Sequence, residues 1–491
     1  MDEERLKPAE HDRDAAELER FGYAQQLRRT MGAFSSFAIS FSLVSIITGI
    51  FANLTFGYRQ MGPAVIWSWI LVAVGQFLVA LVLADLASRI PLSGYGYQWS
   101  TRLVNAHFGY FVGWLLLMQF LTGFPGVCHT LATALCAWFL GNDAAAEWIP
   151  WVAVGVVSVT ALLHLFGIRL VSLVNDAGVV AELLGAAVIT VALLAIHAYR
   201  GSPSLSHFLE NVREIDGVGA GLSAFALSLL MGAWCLTGFE AAADLAEEIH
   251  QPKRVVPRVI LTAALSSSVA GALFLAGLIL CVRDPREAFR QENLVVSVLE
   301  ESLGNTWMPL VMLVVAISIF ACGVASMAAT TRLVFSLARD NMLPFSHPLK
   351  RVHPRWQTPA GAIVLVWLVS TAVILGFRRL EIITSVSAAA GYLGYMGIIA
   401  AAFRARGDAE GFSLRGMQFA VRAAAFVWVT IIVAALTIPE ADSSPNAISR
   451  LPAKSTFAAC AVGAGIYWTI IRGRIRRGEA GPPRAGAIDE A

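Results

Sequence analysis

The sequence predicts an all-α integral membrane protein of twelve spans, and three observations carry that prediction. The 491 residues are 57% hydrophobic and only 14% charged, a balance foreign to soluble globular chains. The charges fall between apolar runs rather than within them, and runs of about 18 or more apolar residues cross a bilayer as helices. The first and sixth runs are interrupted at corresponding places, as the first members of two successive sets of five. Five is odd, so the second set must be inserted upside down relative to the first. Such an inverted repeat places a binding site near the midplane, between the broken helices.

Taken in order, residues 1–30 are charged and lack the apolar core of a signal peptide, so they form a tail. Span 1 (32–56) carries the break at Ser45, Ile46, Ile47, Thr48 and Gly49, and span 2 (63–89) runs from Pro63 to Arg89. Spans 3 (108–140) and 4 (149–167) are parted by GNDAAAEW, and span 5 (171–197) follows Gly167. Span 6 (219–248) breaks at Thr237 and Gly238 and stops before Pro252, among Lys253 and Arg254. Span 7 (256–281) precedes span 8 (307–339), whose length implies tilt and an extension beyond the bilayer. Spans 9 (359–377) and 10 (380–403) meet at Arg378 and Arg379, and spans 11 (417–437) and 12 (455–471) complete the set.

An even number of spans returns both tails to one side. Most of the 36 Lys and Arg residues fall on that side, which makes it cytoplasmic. The organisation is then an N-terminal tail (1–30), a ten-helix core (31–403, with repeats 31–198 and 217–403), two added helices (404–471) and a basic C-terminal tail (472–491). That last tail is expected to be disordered beside an anionic leaflet. The stretch from Pro91 to Arg102, with Gly94 and Gly96, reads as a turn into an interfacial amphipathic helix. Surface helices are expected in the external connections 202–217 and 283–306. The six cysteines lack paired or metal-ligand spacing and read as small core residues.

The breaks concentrate the chemistry. In span 1 the half-helix after the break points its N–H groups into the bundle, which suits an anion. In span 6, Trp234 stands one turn before the break and can hold an ammonium group by cation–π attraction, worth roughly 0.5 to 2 kcal/mol. Phe239 follows the break. Glu240, Asp244 and Glu247, spaced i, i+4 and i+7, place three carboxylates on one face of a second half-helix. Glu247 and Glu248 are expected in solvent or paired with Lys253 and Arg254. Glu182 lies about 16 Å into span 5 at helical rise, which is midplane depth. Intramembrane acids are costly and mark proton, ion or substrate contacts, so Glu182, Glu240 and Asp244 are the coupling and gating candidates. Asp85 and Arg89 form an i, i+4 pair, while His129 and His164 read as hydrogen-bonded core residues. Arg332, Arg339 and Asp340 are expected in inner-gate salt bridges with acids such as Glu247 or Glu248. No G-x-x-x-x-G-K-[ST] loop and no nucleophile–base or metal constellation occurs, which argues against ATP-driven transport and against an enzyme.

Four stretches, W-C-L-T-G-F-E at Trp234–Glu240 with A-E-E-I-H-Q-P-K-R-V-V-P-R-V-I at Ala246–Ile260, S-I-I-T-G-I-F at Ser45–Phe51, A-D-L-A-S-R-I-P-L-S-G-Y-G-Y at Ala84–Tyr97 and T-T-R-L-V-F-S-L-A-R-D-N-M-L-P at Thr330–Pro344, resemble the amino acid–polyamine–organocation permeases. The likeness is greatest to their amino acid/choline branch. It implies a LeuT-type 5+5 fold with discontinuous helices 1 and 6, in which Ser45 to Gly49 cradle a substrate carboxylate and Trp234, Thr237, Gly238 and Phe239 complete the pocket. Trp234 matches the aromatic that covers substrate in arginine/agmatine exchangers. Glu182 stands where some relatives carry a lysine replacing the coupling sodium, and Ser326 is a candidate for the cation region beside span 1. The implied function is a proton- or sodium-coupled symporter that imports amino acids across the plasma (inner) membrane by alternating access. No cofactor or nucleic acid is expected, and the chain is a monomer or homodimer. The alternative keeps the architecture and carries an organic amine such as choline, ethanolamine or a polyamine, which Trp234, Glu182 and Glu240 favour, since the branched Ile46–Ile47 pair weakens the case for a carboxylate.

Overall fold

The computed structural model describes residues 8–140, 142–201, 205–209, 222–291, 293–377, 379–407, 409, 411–437 and 451–483. Among these the chain is all helical, apart from one isolated parallel bridge between Met31 and Ile249. The helices are α1 (Pro8–Arg20), α2 (Ala33–Val44), α3 (Ile46–Met61), α4 (Val65–Arg89), α5 (Tyr95–Leu103), α6 (Ala106–Leu140), α7 (Asn142–Leu165) and α8 (Ile168–Arg200). There follow α9 (Leu222–Cys235), α10 (Ala241–Asp244), α11 (Pro252–Leu280), α12 (Pro285–Arg290), α13 (Leu294–Leu303) and α14 (Met308–Arg339). The rest are α15 (Ser346–Leu349), α16 (Ala360–Gly376), α17 (Leu380–Ala402), α18 (Gln418–Thr437), α19 (Leu451–Ile466) and α20 (Arg472–Arg476). Eight helical stretches among the described residues are long and apolar enough to cross a membrane, and the first of them runs from Ala33 to Arg89. Two shorter apolar helices, Ala224–Cys235 and Ala360–Gly376, accompany them.

The lipid-compatible faces and the core separate as a membrane bundle requires. Exposed large side chains such as Leu173, Leu184, Val188 and Val191 line the outside of α8, while Asn175 and Glu182 on the same helix are fully buried. Inside, α6 packs on α7, α14 and α17, and α9 lies against α3. Gly49 makes that last contact possible, because a Cβ there would overlap Cys235 Sγ.

Both expected breaks are present but differ in extent from the sequence reading. In the first, helix fails at one residue: Ser45 takes φ 28° and ψ 100°, and α3 resumes at Ile46 rather than near Ile50. Ser45 caps the new helix, its Oγ accepting from Thr48 N. In the second, α9 ends at Cys235, Gly238 takes φ 98°, and only one α-turn (α10) and a 3-10 turn (Ala246–Glu248) follow. The continuous acidic half-helix is therefore absent. Its carbonyls are claimed from outside: Thr30 N and Met31 N donate to Glu248 O, Gln25 Nε2 to Glu247 O, and Arg29 to Ile249 O and Ala246 O.

Three further expectations are corrected. Helix α5 is not interfacial, since Tyr95 to Thr101 are buried and the helix packs against α6 and α17. Glu247 and Glu248 are neither solvated nor paired with Lys253 and Arg254; Lys253 instead pairs with Glu17 at 2.7 Å. The C-terminal segment is ordered through residue 483, with Arg474 donating to Asn341 O and Leu343 O, while residues 484–491 lie outside the described residues. Of the external connections, 283–306 contains α12 and α13; in 202–217 the described part, Leu205–Leu209, is a 3-10 turn. All six cysteines are free thiols, five of them buried.

Candidate functional site

The two breaks meet at a small, half-open cavity with a volume of about 40 Å³. Thr48 of α3, Trp234, Thr237 and Gly238 around the second break, Gln119 of α6 and Ser326 of α14 line it. None of its lining residues carries a formal charge. A mostly apolar lining carries polar groups all the same: Gln119 Oε1 is buried without a hydrogen-bond partner, and the Thr237 hydroxyl donates to Trp234 O at 2.8 Å. Ser45, Ile46, Ile47, Gly49 and Phe239 are not among the lining residues. Gly49 faces Cys235, and Phe239 stacks on Tyr395 with ring centroids 6.4 Å apart.

Behind Thr48 the chain of hydrogen bonds leads to Glu182. Thr48 Oγ1 lies 2.7 Å from Ser45 Oγ, and Ser45 Oγ donates to Glu182 Oε1 at 2.8 Å. Ile47 N–H donates to the same oxygen at 3.4 Å. The carboxyl group at the amide end of α3 is thus a side chain of the protein. Its second oxygen, Oε2, has no partner, and neither does the side chain of Asn175, two turns earlier on α8.

Glu240 is held on the opposite flank. Tyr395 of α17 donates to its Oε1 at 2.6 Å, and Gly238 N–H to its Oε2 at 3.1 Å. Asp244 is fully buried with neither oxygen hydrogen-bonded. The three acids spaced i, i+4 and i+7 therefore meet three different environments, because the helix that would have aligned them is broken. Tyr395 is a site residue that sequence reasoning missed; its signal was a pair of tyrosines, Tyr392 and Tyr395, three apart in an otherwise small and apolar span.

At the tail-bearing end a layer of ion pairs closes the bundle. Arg332 grips Glu248 with two bonds, 2.7 and 3.2 Å long, and Arg339 grips Glu247 at 2.8 and 3.0 Å. Ser93 N–H donates to Glu247 Oε1, and Glu247 N–H donates back to Ser93 Oγ, each at 3.2 Å. Asp340 accepts from Tyr23, Tyr97 and Gln98, at 2.9, 2.7 and 3.0 Å. Burial raises its carboxyl from the ordinary value, against the pull of Arg339 and these three donors. Asp85 pairs with Arg89 at 3.0 Å and also with Arg422 of α18. His164 Nδ1 bonds Thr160 O, and His129 bonds Thr133.

Comparison with known proteins identifies the family. The family model described as amino acid permease matches residues 31–465. Amino-acid permease BAT1 of Arabidopsis thaliana is 25% identical, over 88% of this chain and 89% of its own. A putative polyamine transporter of Candida albicans is 25% identical, covering 78% of this chain and 73% of its own. The GABA-specific permease of Saccharomyces cerevisiae is 23% identical, covering 71% and 63%. With most of its length matched by the family model, this chain is a multi-pass membrane transporter of small molecules, not an enzyme, and belongs to the amino acid permease family.

Proposed function

We propose that this permease is a secondary active importer of amino acids or their derivatives, working by alternating access in the plasma membrane with both tails in the cytoplasm. The observation that carries the reading is the uncharged cavity, with polar groups in its lining, onto which both helix breaks open. Substrate would lie between them, against Thr48, Trp234, Thr237 and Gly238, with Ser326 beside it. The fold is read as twelve spans, α2–α3 and α9–α10 being the discontinuous first and sixth, in a 5+5 inverted repeat over 31–198 and 217–403. Helices α18 and α19 stand outside that core, and the protomer acts alone or as a homodimer. Glu182, Glu240 and Asp244 are the groups through which a proton or sodium gradient would be coupled. The buried ion pairs of Arg332 and Arg339 form the closed inner gate.

An organic amine is the second reading, and the occupied amide end of α3 favours it. Thermal stabilisation of the purified protein separates the two. A ligand selective for the folded state stabilises by RT ln(1 + [L]/Kd), about 2.7 kcal/mol at a hundredfold excess. Stabilisation by 4-aminobutyrate and α-amino acids is expected. Stabilisation by 1,4-diaminobutane and simple alkylamines alone would make the protein an amine permease, and a flat response to both sets would remove the cavity from consideration as the substrate site.

A further inference from the structure

We propose that Glu182 is a carboxylate held in the place a substrate carboxylate must take, so that a carboxylated ligand binds only together with a proton on Glu182. This rests on the reading of the cavity as the substrate site and goes beyond it by stating what couples ligand to proton. The amide end of a helix is an anion site, with unpaired N–H groups and the positive end of the helix dipole. At α3 that site is filled: Glu182 Oε1 accepts from Ser45 Oγ at 2.8 Å and from Ile47 N–H at 3.4 Å. The cavity reaches the same helix end through Thr48, whose Oγ1 is 2.7 Å from Ser45 Oγ.

Among the described residues no cation is ion-paired with Glu182 to compensate a second negative charge. Ser45 and Thr48 face Glu182 from the α2–α3 break, Cys235 from α9 and Cys322 from α14. The basic residues of α11, Lys253, Arg254 and Arg258, lie in its first two turns, and Glu300 and Glu301 sit near the end of α13. His164 of α7 is bonded to Thr160 O. Among the described residues none of these titratable side chains hydrogen-bonds Glu182. Two carboxylates sharing one helix end cannot both stay ionised, so one proton must be held between them.

The geometry assigns that proton to Glu182 Oε2, the oxygen without a partner. Once it is protonated, Oε1 keeps the Ser45 hydrogen bond, and Glu182 no longer opposes a second, incoming carboxylate at the amide end of α3 with its own charge. An amine without a carboxylate makes no such demand. The same cavity therefore binds its two ligand classes with different proton stoichiometry.

The test is calorimetric titration of the purified protein in sodium-free buffers of differing ionisation heat, between pH 6 and 9, with 4-aminobutyrate and with 1,4-diaminobutane. The expected result for 4-aminobutyrate is uptake approaching one proton at the alkaline end, with affinity falling about tenfold per pH unit there by linkage. Binding of 1,4-diaminobutane should show no uptake attributable to the protein. Glu182→Gln should abolish both the uptake and the pH dependence of 4-aminobutyrate affinity; Ser45→Ala, which removes the link to the cavity, should weaken both. Binding of 4-aminobutyrate by the wild-type protein without proton uptake at any pH overturns the proposal, and this needs no variant to fold. Uptake that survives in Glu182→Gln overturns it as well. If neither probe binds, the substrate reading of the cavity fails first and takes this inference with it.

Discussion

At the scale of single residues, the Arg332–Glu248 pair shows how burial makes each ion depend on the other. Both side chains are 1% exposed, and the guanidinium meets the carboxylate with two bonds, so neither ion has water to fall back on. Such a pair contributes little over an apolar replacement, but removing one partner strands a buried charge, at a cost of about 3 to 5 kcal/mol. Arg332→Ala should therefore lower the melting temperature of the detergent-purified protein by several degrees, and the double variant Arg332→Met with Glu248→Met should recover most of the loss. A single variant as stable as the wild type would show that this pair is not what seals the inner end. Trp234 poses a different question, because it lines the cavity while only 8% exposed, and its ring can serve either packing or ligand.

At the scale of elements, the loop into α5 ties the gate to the bundle. Gly94 opens α5 at φ 86°, and a Cβ there would run into Ser336 Oγ. The left-handed backbone alone costs roughly 1 to 2 kcal/mol for a residue with a Cβ. Gly94→Ala should thus displace α5 and break the Ser93 bonds to Glu247, seen as a drop in thermal stability and as faster proteolysis between α4 and α6. A variant with wild-type values for both would mean that the loop accommodates the methyl group without moving Ser93. The sequence announced the long apolar spans and both breaks, because these follow from local composition and helical rise. It named Glu247 and Glu248 as acceptors for Arg332 and Arg339 but did not announce which pairs with which, nor the length of α10 or the burial of α5. Those depend on partners far away in the chain, as when Gln25 and Arg29 take the carbonyls of residues 246–249. The occupant of the α3 amide end was hidden for the same reason: an anion site was readable, but the 137-residue separation between Ser45 and Glu182 was not.

At the scale of the whole molecule, the two tails converge on one residue at the closed end. Tyr23 of the N-terminal segment donates to the Asp340 carboxylate at 2.9 Å, and Gly481 N–H of the C-terminal segment donates to Asp340 O at 2.9 Å. The Arg339 guanidinium lies over the Tyr23 ring, 3.8 Å from its centroid, while holding Glu247. Opening this end toward the tails must therefore part the Tyr23 contacts as well as the ion pairs. Cys322 lines the cavity, so its alkylation by a small thiol reagent applied from the tail side reports that opening. Tyr23→Ala should raise the alkylation rate several-fold, and Tyr23→Phe should raise it less, since it keeps the ring under Arg339 and loses only the hydroxyl. The pH dependence has a definite sign. Burial raises the Asp340 carboxyl, so the closed end holds a proton more readily than an opened, hydrated one, and closure is favoured as pH falls and weakened as pH rises through the native value. Comparing wild type with Asp340→Asn at each pH cancels the reagent's own dependence on thiolate. The ratio of wild-type to variant rates should climb with pH; a constant ratio, or equal rates in both Tyr23 variants and the wild type, would show that the tails rest on the gate without holding it.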